Sequence, residues 1–118
     1  MGMTGIEFIE PDEVEFLNTF GAEKSAIPGE ESAFRFDIEG VGDDGKVQLS
    51  YDAVGRSAQV IWLRRDREMA RIYRENIHQI SVDPSGAIRI ENDSSDISSV
   101  LIVEIYPAVR ITDTQLLC

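Results

Sequence analysis

The chain has 118 residues, 42% of them hydrophobic, and carries 22 acidic against 11 basic side chains for a net charge of −11. That length bounds it to one domain, residues 1–118, and that apolar content is enough for a core and too high for a disordered chain. A molecule this negative repels nucleic-acid phosphates and anionic membrane surfaces and favours encounter with basic macromolecules, so neither nucleic acid nor membrane is an expected partner.

A short strand is expected at Glu7–Ile9, and a short helix over 11–20. Pro11 suits the first helical position, Asp12 and Glu13 suit the positive end of the dipole, and Val14, Leu17 and Phe20 keep helical spacing up to a Gly21 stop. Gly21–Ser32 reads GAEKSAIPGEES and is expected to be a loop, long for a compact domain and of the kind that often carries contacts. From Ala33 the pattern turns to period two. Phe34, Phe36 and Ile38 alternate with Arg35, Asp37 and Glu39, and Val47, Leu49 and Tyr51 resume the rhythm after a Gly42-Asp43-Asp44-Gly45 turn. Ala53–Arg56 reads as the next turn. Ala58–Leu63 is denser in apolar residues and is expected inside a sheet.

Asp66–Ile77 fits two templates. Met69, Ile72, Tyr73, Asn76, Ile77 and Ile80 follow a helical stripe, whereas the turn signals on either side arrive at the spacing of a β-meander. Strand is the preferred reading and a helix over 66–77 the alternative. Gln79–Val82 and Ala87–Glu91 form a hairpin about Asp83-Pro84-Ser85-Gly86, where Pro and Gly occupy their favoured turn positions. Asn92–Ser99 is a polar loop, Val100–Tyr106 a nearly continuous apolar strand closed by Pro107, and Val109–Thr112 a short edge strand. The expected fold is therefore mainly β: an antiparallel meander or two-layer sandwich of about six to eight strands with one or two short helices.

Catalytic machinery is not evident. The one histidine, His78, has no nucleophile in a recognisable motif, and the one cysteine is Cys118, so no intramolecular disulfide can form. No zinc-ligand spacing, calcium-loop pattern or phosphate-binding glycine motif occurs, and no catalytic residue, cofactor or metal is expected. Residues 1–20 lack a basic start and a continuous apolar stretch, and the longest apolar runs, Val60–Leu63 and Val100–Val103, are far too short for a membrane helix, so a cytoplasmic location is expected. Five arginines, Arg64, Arg65, Arg67, Arg71 and Arg74, crowd one segment and are read as a charged face paired with the acidic remainder.

The charge is uneven: residues 1–55 hold 13 acidic and 3 basic side chains, whereas residues 56–82 hold 3 acidic and 6 basic. Loop and turn carboxylates, chiefly Glu30, Glu31, Asp43, Asp44, Asp93 and Asp96, are the candidate partner-binding residues. The leading expectation is a small acidic, non-enzymatic module that docks a basic protein. In size and charge it is similar to immunity proteins, the inhibitors that neutralise toxic bacterial enzymes. Two alternatives are a subunit that pairs with its own copy through Val100–Tyr106 and Ala58–Leu63, and a ligand-binding or enzymatic β-domain whose cavity is lined by Phe34, Phe36, Tyr51, Trp62 and Tyr73.

Overall fold

The computed structural model describes residues 8–93 and 97–117. The one α-helix among these residues, α1 (Glu13–Phe20), begins where the Asp12 carboxylate accepts hydrogen bonds from the N–H groups of Val14 (3.0 Å) and Glu15 (3.2 Å). It ends where Gly21, at φ 67°, turns left-handed and returns its N–H to the Leu17 carbonyl. Pro11 therefore precedes the cap instead of opening the helix. Phe16 and Phe20, one turn apart, are buried, and Phe16 stacks on Phe36 at 4.3 Å between ring centroids.

Among the described residues, nine strands follow in two antiparallel sheets. The first sheet runs β1 (Lys24–Ala26), β2 (Ala33–Glu39), β3 (Lys46–Asp52), β4 (Ser57–Arg64) and β5 (Arg67–Arg74) in sequence order. The second runs β6 (Ile77–Val82), β7 (Ile88–Asp93), β8 (Ile97–Glu104) and β9 (Arg110–Leu117), again in sequence order. Each sheet is thus a meander, and the two share one core. Phe36, Ile38, Val47, Leu49, Tyr51 and Val60 come from the first sheet, Ile80, Ile88, Ile90, Leu101 and Val103 from the second, with Phe16 and Phe20 from the helix. Alternation produces this. On β3, Val47, Leu49 and Tyr51 are buried while Lys46, Gln48, Ser50 and Asp52 face the other way.

The ambiguous segment is strand β5, and the helix over 66–77 does not form. Residues Arg65 (φ 52°) and Asp66 (φ 62°) make a two-residue hairpin turn with both φ values positive, pairing Arg64 with Arg67 and folding the chain back on β4. The helical stripe divides accordingly: Ile72 packs against the core, while Met69 and Tyr73 point outward. Met69 is the extra residue of a bulge, since Trp62 pairs with Ala70 and Leu63 with Glu68. A second bulge at His78 lets Ile77 and Ile80, which a regular strand would place on opposite faces, both enter the core.

Smaller differences from expectation occur elsewhere. The loop over Gly21–Ser32 contains the short strand β1, and the expected strand at Glu7–Ile9 is a single parallel bridge from Ile9 to Gln79, with Glu7 outside the described residues. The expected edge strand at Val109–Thr112 extends to the eight residues of β9. Strands β4 and β8 are both interior, so the segments considered for pairing between copies already have their backbone groups satisfied on both sides; the sheet edges are β1, β5, β6 and β9.

Candidate functional site

The hydrogen-bonded turns divide the carboxylates between two ends of the sandwich. At one end lie the loop of residues 27–32, the turn of residues 53–56 and the entry to β6, tied together by Ala53 N–H to the Ser32 carbonyl and Ile77 N–H to the Arg56 carbonyl, both 2.9 Å. Glu30 and Glu31 are exposed here, and Asp93, at the end of β7 beside the Ile77–Asn92 pair, is at the same end. Asp96 lies outside the described residues. Asp43 and Asp44 are at the opposite end, in a single 3₁₀ turn (Gly42–Asp44), about 20 Å away along the seven residues of β2. The structure therefore brings Glu30 and Glu31 together and separates them from Asp43 and Asp44.

The 3₁₀ turn has structural duties. The Asp44 carboxylate accepts the Val109 N–H (2.8 Å) and so joins the two sheets, while the Asp44 and Asp43 carbonyls accept Trp62 Nε1–H (2.6 Å) and Arg64 Nε–H (3.0 Å). Arg65 sits 3.8 Å from the Asp43 carboxylate. Two more of the crowded arginines are paired likewise, Arg71 with Glu68 and Arg74 with Asp113 of the other sheet. Hydrogen bonding to Arg71, then its charge, lowers the Glu68 pKa from its ordinary value.

Of the five aromatic residues considered for a cavity, Tyr51 and Tyr73 line one groove, and Phe34, Phe36 and Trp62 do not. Phe36 and Tyr51 are core residues, and Phe34 and Trp62 pack against the core. The Tyr51 hydroxyl donates to Glu10 (3.0 Å), and its pKa is pushed up, first by burial and then by that carboxylate. Tyr73 is different. This residue, 53% exposed, stands on the outer face of the first sheet.

Beside Tyr73 that outer face is concave. A groove of about 250 Å³ opens over β3, β4 and β5 at the Glu30 end. Ser50 and Asp52 of β3 and Ser57 and Gln59 of β4 form its floor, because these are the residues whose alternation turns them away from the core. The loop of residues 27–32 supplies Ile27 and Glu30 as one wall, and Tyr73 supplies the other. Asp52 is rigidly held: its Oδ1 accepts the Ser32 hydroxyl (2.7 Å) and the N–H groups of Val54 and Gly55 (3.0 Å each). The Gly55 N–H above all, then the Ser32 hydroxyl, keep its pKa below the ordinary 3.8, so it is an anion at neutral pH. Among the described residues, no basic side chain lines the groove.

A second acidic surface lies on α1, where Val14 (61% exposed) and Leu17 (47%) stand outward among Glu13, Glu23 and Lys24. Sequence reasoning missed the groove, because its floor is the polar half of each strand pattern, which by itself reads as solvent-facing. Among the described residues there is no group of three or more His, Cys, Asp or Glu placed to hold a metal, and no helix long and apolar enough to cross a membrane. His78 sits half-buried in β6, where its backbone carbonyl accepts the Ile9 N–H.

These features define a two-sheet antiparallel sandwich with polar, acid-bearing recesses on its surface. The fold resembles that of a chain in a contact-dependent growth inhibition toxin–immunity protein complex from Klebsiella pneumoniae 342, with a TM-score of 0.79 over 96% of this chain and 100% of that one, at 19% identity. At that identity the likeness is one of fold. No protein-family model and no curated protein sequence matches the chain.

Proposed function

We propose that this chain is an immunity-type protein: a small, non-enzymatic inhibitor that binds and neutralises a partner toxin of basic character in the cytoplasm. The observation that carries the proposal is the likeness of fold, end to end, to a chain of a toxin–immunity complex. The net charge of −11 supports the basic partner, since an acidic surface steers and holds a protein of opposite charge. Of the two roles in such a complex, inhibition suits this molecule better. Its recesses carry carboxylates, serines and an exposed tyrosine without a nucleophile–base pair, and the half-buried His78 is packed into β6 away from the groove lining. The lone cysteine, Cys118, is in keeping with a reducing compartment.

Affinity purification of the tagged chain from its source cells at low salt tests the proposal. The expected result is a basic protein, released by raised salt, that arrests growth when expressed alone and ceases to do so when this chain is expressed with it. Recovery of no protein, or of one whose expression is harmless, overturns it.

A further inference from the structure

We infer that the outer-face groove of the first sheet is the receptor for an arginine side chain of the partner protein. This rests on the partner-binding reading above and assigns it a place and a chemistry. The volume of about 250 Å³ suits one long side chain, not a segment of secondary structure. Its chemistry is directional. Glu30 lines the groove from the loop of residues 27–32, Asp52, fixed by its hydrogen bonds, from β3, and the half-exposed Tyr73 from β5.

A guanidinium is planar and permanently charged. It meets carboxylates through paired N–H donors and lies against aromatic faces. Ser50, Ser57 and Gln59 add oxygen acceptors along the floor for the remaining N–H groups, and Ile27 offers an apolar surface to the methylene stem. A lysine ammonium would satisfy the charge alone and leave the ring and the planar acceptor array unused.

The groove also differs from the other acidic places on the molecule. The Asp44 carboxylate accepts the Val109 N–H and the Asp43 carboxylate lies 3.8 Å from Arg65, whereas among the described residues no basic side chain lines the groove. Asp52 is held by three internal hydrogen bonds in the unliganded chain, so little ordering cost falls on binding.

The test has two arms. In the first, the isotopically labelled chain is titrated with an acetylated, amidated Gly-Arg-Gly peptide and with its Gly-Lys-Gly counterpart, following backbone amide signals. Saturable shifts are expected at Ser50, Ser57, Gln59 and Tyr73, with the arginine peptide bound at least about fivefold more tightly than the lysine peptide. Tyr73→Ala and Glu30→Gln weaken that binding, while Tyr73→Phe, which keeps the ring, preserves it. Equal binding of the two peptides, or shifts centred elsewhere, overturns the inference.

In the second arm, Tyr73→Ala and Glu30→Gln are expected to lower affinity for the purified partner by about tenfold or more. Both positions are on the surface, and an unchanged far-ultraviolet dichroism spectrum certifies the fold of each variant. A partner bound equally well by both variants overturns the groove assignment and leaves the immunity-type reading standing. Specific arginine-peptide binding without any recoverable partner does the reverse.

Discussion

At the residue scale, short polar side chains hold the turns from which everything else is hung. Asp12 caps α1 through one oxygen that accepts two backbone N–H groups. Asp12→Ala removes that acceptor, and a loss of about 1 kcal/mol is expected from denaturant unfolding. Asp52 and Asp83 repeat the device in the hairpin turns. Asp83 Oδ1 accepts the Ser85 hydroxyl (2.6 Å) and the N–H groups of Ser85 (2.9 Å) and Ala87 (3.0 Å). These bonds, led by the Ser85 hydroxyl, lower the Asp83 pKa as those led by Gly55 lower that of Asp52. The folded carboxylates thus protonate at lower pH than the same groups in the unfolded chain, whose ordinary value is 3.8. Their contribution is complete above that value and drains away as pH falls through the lowered folded pKa values, where the unfolded chain binds more protons. Urea midpoints taken from neutral to acid pH are expected to fall below about pH 4. The decline should be shallower in the Asp52→Asn, Asp83→Asn double variant, which keeps the carbonyl acceptors and loses the titration.

At the scale of elements, the hairpins are specified by backbone conformations that few residues tolerate. Gly45, between the 3₁₀ turn and β3, has φ 81°, and a Cβ there would lie 2.0 Å from the Leu63 carbonyl oxygen. Glycine is required twice over, by the left-handed backbone and by the approach of β4. Gly45→Ala is expected to cost about 3 kcal/mol, read as a fall of about 10 °C in Tm. The Arg65–Asp66 turn works against local preference at Arg65, which holds positive φ without being glycine, asparagine or aspartate. It persists because β4 is apolar on its inner face and needs a partner strand on its open edge. Pairing with β5 satisfies a row of backbone groups that a helix over 66–77 would leave unpaired.

For the whole molecule, the proposed recognition divides between charge and shape: the excess of carboxylates would act at long range on the arrival of a basic partner, and the groove would act at contact on the side chain retained. Association with the partner is therefore expected to slow by about tenfold or more as ionic strength rises from about 50 to about 500 mM, measured by stopped-flow or surface binding kinetics, with a smaller change in dissociation. Dissociation should instead respond to Tyr73→Ala. Charge reversal at the Glu30 end is expected to slow association more than reversal at the Asp43 end, where Arg64 and Arg65 already offset the charge.

Much of the fold is legible in the linear chain because its signals are local. The period-two rhythm of Phe34–Ile38 and Val47–Tyr51, the Asp83–Gly86 turn and the Asp12–Gly21 helix signals depend only on neighbouring residues and on which side chains shun water. The overall acidity is equally a property of composition. What only the tertiary structure decided are the matters that hinge on distant residues. The open edge of β4 made 67–74 a strand, and the bulge at His78 chose which face Ile77 takes. The carboxylates were dealt to opposite ends by hairpin direction, a result no charge count contains. The groove arose in the same way: Glu30, Asp52 and Tyr73 are far apart along the chain, and they converge only because three strands and one loop stack their outward-turned side chains side by side.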